Sequence, residues 1–177
     1  VNLLADDEKT VLFGNLCVGA GGGKTLGFWS NKNGQALFSA GNALPVMVAQ
    51  NLRNADGTHF DPASYTAFRT WILGASATNM AYMLSAQMAA MKLNVHNGNV
   101  SGSALIYAPG TLSANPLGFA TVNAVLAEAN AALGANGLVL AGHPSRAYQE
   151  SLKNALDDAN NNKTFVQPGP CPFTFAP

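Results

Sequence analysis

The most regular feature of the chain is a series of segments whose apolar residues recur three or four positions apart, as on one face of an α-helix. This spacing predicts helices over 35–52, 61–74, 78–94 and 121–133, and a last one from Pro144 into the asparagines at 160–162. Pro45 should interrupt the first helix, because proline inside a helix loses a hydrogen bond and clashes with the preceding turn. The pattern therefore indicates a mainly helical chain.

The segment 78–94 carries the clearest packing signal. Small residues at 77, 81, 85 and 89 form a ridge every four positions, against which another helix can approach closely. Four of the five methionines lie in the same segment, yet Asn79, Ser85, Gln87 and Lys92 make it too polar for a membrane span. We expect a central helix that is buried on nearly all sides, and no membrane span.

Shorter apolar runs predict a few strands, at 104–107, at 137–141 and around Cys17. The predicted fold is mainly α: a compact helical domain with a few short strands, an extended N-terminal segment and an extended C-terminal tail. A length of 177 residues fits one domain. We divide it into an extended arm and glycine-rich hinge (1–23), a helical core (24–164) and a proline-rich surface tail (165–177).

The glycine-rich run 19–25 is similar to a phosphate-binding loop. Val18 stands where that loop needs its first glycine, and the residues after Thr25 are poor material for the helix that should face the phosphates. We therefore interpret the run as a flexible linker, because glycine has much conformational freedom to lose on folding.

Charge changes the picture of the surface. Asp, Glu, Lys and Arg make up only 10% of the chain, against roughly 25% in an average domain, and the net charge is zero. A neutral protein lacks the attraction to nucleic acid or anionic lipid that a basic one has, and copies of it do not repel one another. Between Thr70 and Ala127 the only formal charge is Lys92, which fits either a core-rich middle or a contact between subunits.

Export is the expected fate of the chain. The sequence begins at Val1 without an initiator methionine, as after removal of a secretory signal peptide. A secreted or cell-surface protein with two cysteines, Cys17 and Cys171, is expected to form a disulfide between them. Free thiols, or bridges between neighbouring subunits, remain the alternatives.

Candidate metal ligands gather in one loop. Asp56, His59 and Asp61 could bind calcium, or a transition metal through His59 and Asp61. The same residues also suit a turn and a helix cap, so we expect no cofactor and keep calcium as the alternative.

Catalytic signatures are missing from the sequence. His59, His96 and His143 are far apart, no Gly-x-Ser-x-Gly motif is present, and Glu128 and Glu150 fall on separate predicted helices. We expect a protein that is not an enzyme, with a secreted hydrolase of unfamiliar type as an alternative.

The segment from Thr25 to Gly34, TLGFWSNKNG, resembles a Gly-Phe/Tyr-Trp-Ser/Lys-Asn motif found in uncharacterised bacterial secreted and cell-surface proteins. The stretches at 77–84 and 145–150 are similar to the same group. The resemblance implies location and bacterial origin, and it brings no activity with it.

Two roles fit the motif. Phe28 and Trp29 can be apolar anchors of a structural corner. Alternatively, Trp29 stacks on a sugar ring while Asn31, Asn33 and Gln35 hydrogen-bond its hydroxyls, which would make the protein a secreted carbohydrate-binding module or adhesin.

The first hypothesis for function is a non-enzymatic extracellular structural subunit that assembles with copies of itself into a filament or surface array. It depends on the uncharged middle, the zero net charge and the glycine-hinged N-terminal arm, which could add as a strand to a neighbour's sheet. The partners expected are therefore copies of the chain itself, with a glycan as the alternative.

Overall fold

The computed structural model describes residues 16–169. Over this range the chain forms seven helices and four short strands, which confirms the mainly α prediction. In chain order they are β1 (Val18–Gly19), α1 (Leu26–Trp29), α2 (Lys32–Ala40), α3 (Leu44–Val48), α4 (Tyr65–Leu73), α5 (Met80–His96), β2 (Leu105–Tyr107), β3 (Phe119–Thr121), α6 (Val122–Ala135), α7 (Arg146–Asn160) and β4 (Phe165–Val166). Most of the predicted arm and the end of the predicted tail lie outside the described residues.

Helix α5 is the centre of the core, as its small-residue ridge predicts. Most of its apolar side chains, among them Leu84, Met88 and Met91, are fully buried, and α6 and α7 both pack against it. The ridge residues Ala81, Ser85 and Ala89 are buried as well. Within 16–169 no helix has both the length and the apolar character needed to cross a membrane.

Helix starts follow the side chains that cap them. Asn31 and Thr121 cap α2 and α6 by accepting hydrogen bonds from backbone N–H groups of the first turn. The predicted start of α4 after Asp61 is wrong, because Ser64 is the cap and its hydroxyl accepts from the Ala67 N–H at 3.2 Å.

The break predicted near Pro45 is confirmed. Helix α2 ends at Ala40, and Asn42 adopts a left-handed conformation, with φ of 47°. Pro45 then lies in the first turn of α3, where its missing N–H costs no helical hydrogen bond.

The four strands form one antiparallel sheet in the order β1-β4-β2-β3. The prediction of a strand at 104–107 is confirmed by β2, but 137–141 is not a strand. Val139 instead binds the N-terminus of α5. Its N–H donates to the Asn79 side chain at 2.8 Å, and its carbonyl accepts from the Met80 N–H at 2.9 Å. The predicted surface tail begins with Phe165, which is buried in β4.

The glycine-rich segment before α1 is closely packed. A side chain at Gly21 would overlap the Phe165 ring, and one at Gly23 would lie 2.9 Å from the Asn160 carbonyl oxygen. The Asn162 amide accepts from the N–H groups of Gly21 and Gly23 and donates to the Gly23 carbonyl at 2.9 Å. The interpretation of this run as a flexible linker is therefore wrong for Gly21 to Gly23.

A network of buried amides joins this segment to two helices. Asn94 of α5 accepts from the Lys24 N–H at 3.1 Å and from the Trp29 Nε1–H at 3.2 Å. It donates to the Lys24 carbonyl and to Asn160 of α7, both at 2.9 Å. Asn160 in turn donates to the Gln87 side chain. These bonds fix the end of α7.

Candidate functional surface

The sheet has one buried face and one exposed face, because side chains of a strand point alternately to opposite sides. Ile106 and Phe165 are buried against the helices. Their neighbours point outward, and we call this outer surface the sheet face: Val18, Leu105, Tyr107, Phe119 and Val166. Val18, Leu105 and Tyr107 are 45%, 44% and 43% exposed.

The loop that joins β2 to β3 carries further exposed apolar side chains. Tyr107 and Phe119 pair across the two strands with ring centroids 5.3 Å apart, and Gly118 lies against the Tyr107 ring. Leu117, next to Gly118, is 71% exposed, and Leu112 in the same loop is 82% exposed. None of these residues carries a formal charge, so the surface is a largely apolar one.

The free edge of β3 is closed by Asn115. The Phe119 N–H donates to the Asn115 side chain at 3.0 Å, and the Asn115 N–H donates to the Phe119 carbonyl at 2.9 Å. Backbone groups at an open edge would offer a template for another strand. Here those of Phe119 are already satisfied, which disfavours strand addition at this edge.

Glu128 of α6 holds the same loop in place. Its carboxylate accepts from the Leu112 N–H at 2.7 Å, from the Ser113 N–H at 2.8 Å and from the Tyr148 hydroxyl at 3.0 Å. Burial opposes the charged form, but the hydrogen bonds from Ser113, Leu112 and Tyr148 outweigh it and lower the pKa of Glu128. Burial and the nearby carboxylate raise the pKa of Tyr148 to about 12. Glu128 thus positions the loop.

Acid should loosen this loop. Because the folded-state pKa of Glu128 is below its ordinary value, its contribution to stability is present at neutral pH and is lost as pH falls through that lowered pKa. We expect Glu128→Gln to be less stable than wild type at pH 7, with a difference that shrinks toward pH 3. Urea unfolding at several pH values measures it, and Glu150→Gln, at an exposed position on α7, is the control. A pH-independent difference would contradict the role of the charge.

Trp29 cannot serve as the sugar-stacking platform considered above. Its side chain is fully buried, its Nε1–H is bonded to Asn94, and Phe28 packs edge-on against its ring at 5.3 Å. The large apolar area of the indole is used in the core. This part of the platform interpretation is therefore wrong.

The rest of the motif is the structural corner between α1 and α2. Asn31 uses its side-chain oxygen to accept from the N–H groups of Asn33 and Gly34, and the Tyr65 hydroxyl donates to the Asn31 carbonyl at 3.0 Å. Asn33 and Gln35 are exposed on the first turn of α2. The corner places these amides at the surface without an aromatic partner from Trp29.

The candidate metal ligands do not converge. Asp56 accepts from the Thr58 hydroxyl at 2.6 Å and from its N–H at 3.0 Å, while His59 and Asp61 form a separate pair at 3.3 Å. The described residues contain no group of three or more His, Cys, Asp or Glu side chains that could hold a metal ion. Calcium binding remains a prediction without a preformed site among them.

The predicted disulfide involves one residue, Cys171, that lies outside the described residues, so the pairing stays a prediction. The geometry at Cys17 supports it. The Gln167 N–H donates to the Cys17 carbonyl at 2.8 Å, continuing the pairing of β1 with β4. Cys17 therefore lies beside the segment that leads to Cys171.

Comparisons with models of known protein families, with curated proteins and with solved structures found no match.

The sheet face was not predicted from the sequence, although the sequence contains signals for it. The strand predicted at 104–107 places Leu105 and Tyr107 on one face, and the long uncharged segment includes both residues.

Proposed function

We propose that this protein is a non-enzymatic extracellular structural subunit that assembles with copies of itself. The observation that supports this function best is the sheet face, together with Leu112 and Leu117. A group of exposed apolar side chains on one face of a sheet is typical of an interaction site. Export and surface location stay part of the proposal, on the low charge and the motif resemblance.

The physical driving force is the removal of apolar side chains from water, which stabilises contact between two such faces. The absence of charge on the face means that no ion has to be desolvated when two copies meet. The zero net charge of the chain also leaves little repulsion between copies.

The mode of assembly follows from the sheet. Addition of an N-terminal arm to a neighbour's β3 is disfavoured, because Asn115 occupies the edge of that strand. Packing of one sheet face on another is favoured, since Leu105, Tyr107 and Leu117 project from the surface. Contact through the sheet face alone would form a dimer. A filament or array would need a second contact surface on each copy.

Light scattering of the native protein across a concentration range tests the proposal. Wild type should form dimers or larger particles. A Leu105→Lys/Tyr107→Lys double variant should stay monomeric, because the two lysines on each of the two contacting faces would bring four charges that have to be desolvated. Leu73→Lys is the matched control, since Leu73 is 57% exposed at the end of α4. It should assemble like wild type.

Two outcomes would count against the proposal. A wild-type protein that stays monomeric at every concentration would contradict the assembly proposal. A double variant with the same particle mass as wild type would show that the sheet face is not the interface. Circular dichroism and thermal unfolding of the variants establish that each one is folded before its mass is interpreted.

A further inference from the structure

A groove on the side of α4 is a concave surface separate from the sheet face. It lies between α4, the turn at 54–60 and the start of α5, and has a volume of about 820 Å³. That volume is within the range of ordinary small-molecule sites. Phe60, half-buried and stacked on Trp71, is the aromatic residue that its wall offers to a ligand, since Trp71 and Tyr82 are only 5% and 6% exposed; Asp56, Thr66 and Thr70 supply polar atoms around it.

The wall of the groove is aromatic and rigid. Phe60 stacks on Trp71 with ring centroids 4.6 Å apart and an angle of 8° between the rings. The Trp71 Nε1–H donates to the Arg53 carbonyl at 3.0 Å, and the Tyr82 hydroxyl donates to the Trp71 carbonyl. A preformed wall of this kind avoids the entropy cost of ordering side chains when a ligand binds.

The turn that forms the opposite side is held just as firmly. The Asn54 N–H donates to the Thr58 carbonyl at 2.9 Å, and the Asn79 side chain donates to the carbonyls of Asn54 and Ala55 at 3.3 Å. Thr58 donates twice to Asp56, and these bonds lower the pKa of the Asp56 carboxyl, with the side-chain bond as the largest cause. The groove thus presents a fixed, exposed carboxylate.

The polar groups of the groove are mostly neutral. Thr66 and Thr70 are exposed and lie four positions apart, on one face of α4, and Asn54 adds an amide. No Lys, Arg or His is among the described residues that line the groove, so a phosphate or sulfate has no cation to meet there. Asp56 would repel an anionic ligand further.

From this combination we infer that the groove is a binding site for a neutral oligosaccharide. The C–H face of a sugar ring can pack on the Phe60 ring, on the side away from Trp71, and its hydroxyls both donate and accept hydrogen bonds, which matches a carboxylate, hydroxyls and an amide. The groove is open to solvent along α4, which suits a chain of sugars rather than an enclosed small molecule. This inference uses surface residues other than the sheet face and does not depend on the proposed assembly.

The indole signals of the protein allow a direct test. The chain has two tryptophans, Trp29 in the buried amide network and Trp71 in the groove wall. Nitrogen-15 NMR spectra are recorded with up to 10 mM of neutral oligosaccharides of hexoses and of N-acetylhexosamines, and with choline as a cationic probe. We expect at least one saccharide to shift the Trp71 indole signal in a saturable way and to leave that of Trp29 in place.

Two variants locate the site. Thr70→Trp should abolish binding, because its indole would fill the groove from an exposed position, and Ala131→Trp, exposed on α6, is the matched control that should bind like wild type. Asp56→Ala should weaken binding about tenfold through loss of a charged hydrogen-bond acceptor. Unfolding curves confirm that each variant is folded.

The inference is overturned if no saccharide in the series binds, if Thr70→Trp binds as well as wild type, or if choline alone shifts Trp71. The last result would assign the groove to cations. Light scattering of Thr70→Trp should give the mass of wild type, so failure of this inference and failure of the assembly proposal are distinguishable.

Discussion

Asn94→Leu should lower the free energy of unfolding by about 4 kcal/mol, a large loss for a single side chain. Leucine has a similar size, so the change removes hydrogen bonds without opening a large cavity. It leaves the Trp29 indole N–H and the Asn160 oxygen without their partner in the core, and it also removes the partner of the half-buried Lys24 backbone groups. Each such buried group costs about 1–3 kcal/mol when it is unpaired.

Thermal and urea unfolding measure this loss. For a chain of this length the melting temperature should fall by roughly 10 °C, at about 2–4 °C for each kcal/mol. Asn161→Leu is the control, because Asn161 is exposed and bonds only to Asp157 one turn away. It should change stability by about 0.5 kcal/mol or less. Equal effects of the two substitutions would show that the buried network contributes nothing special.

The second large effect is expected at Gly34 in α2. A methyl group there would overlap the Phe28 carbonyl and come within 2.6 Å of the Trp29 α-carbon, both of which are backbone atoms. Backbone cannot yield as a flexible side chain does, so α1 and α2 must move apart. Gly34→Ala should therefore lower the free energy of unfolding by about 3 kcal/mol, at the upper end of overpacking effects.

Gly27 in α1 is the matched control. The nearest atom to a methyl group there is the Thr25 hydroxyl oxygen at 3.7 Å, an ordinary contact distance. Gly27→Ala should stabilise the protein by up to about 1 kcal/mol, because alanine loses less backbone freedom in a helix than glycine. Urea unfolding of the two variants should give shifts of opposite sign. A neutral Gly34→Ala would mean that the corner is loosely packed.

The helices were predictable because their cause is local. Apolar spacing fixes the buried face of α5 and α6, and Pro45 breaks the helix around it wherever the chain lies in space. The start of α4 was misplaced because Asp61 and Ser64 are both good caps. Their sequence context does not show that Asp61 pairs with His59 instead.

The sheet and the amide network depend on contacts between distant positions. β1 and β4 are two residues each, too short for any alternation to be visible, and they meet through a separation of almost the whole described chain. Asn94 and Asn160 are ordinary polar residues in the sequence, and only their packing together makes them structural. Because asparagine is more often exposed than buried, the residue type alone favours a surface position for both side chains, whereas both are buried.

The ligand platform was misplaced for a similar reason. Trp29 and Trp71 are both large aromatic residues near polar ones, so sequence alone cannot say which one lies in the core network and which in a groove wall. The ligand platform was predicted at Trp29, which lies in the core. The Asp56 loop was noted for metal ligands, whereas the structure presents Asp56 beside an aromatic groove.

The neutral chemistry of the core has a consequence for how the protein responds to dissolved salt. Ions screen charges, and the buried bonds among Asn94, Asn160 and Gln87 involve none. Salts such as sulfate strengthen the burial of apolar surface, both in the core and in the proposed contact through the sheet face. Screening by sodium chloride should therefore change little, whereas sulfate should stabilise the fold and strengthen the proposed association together.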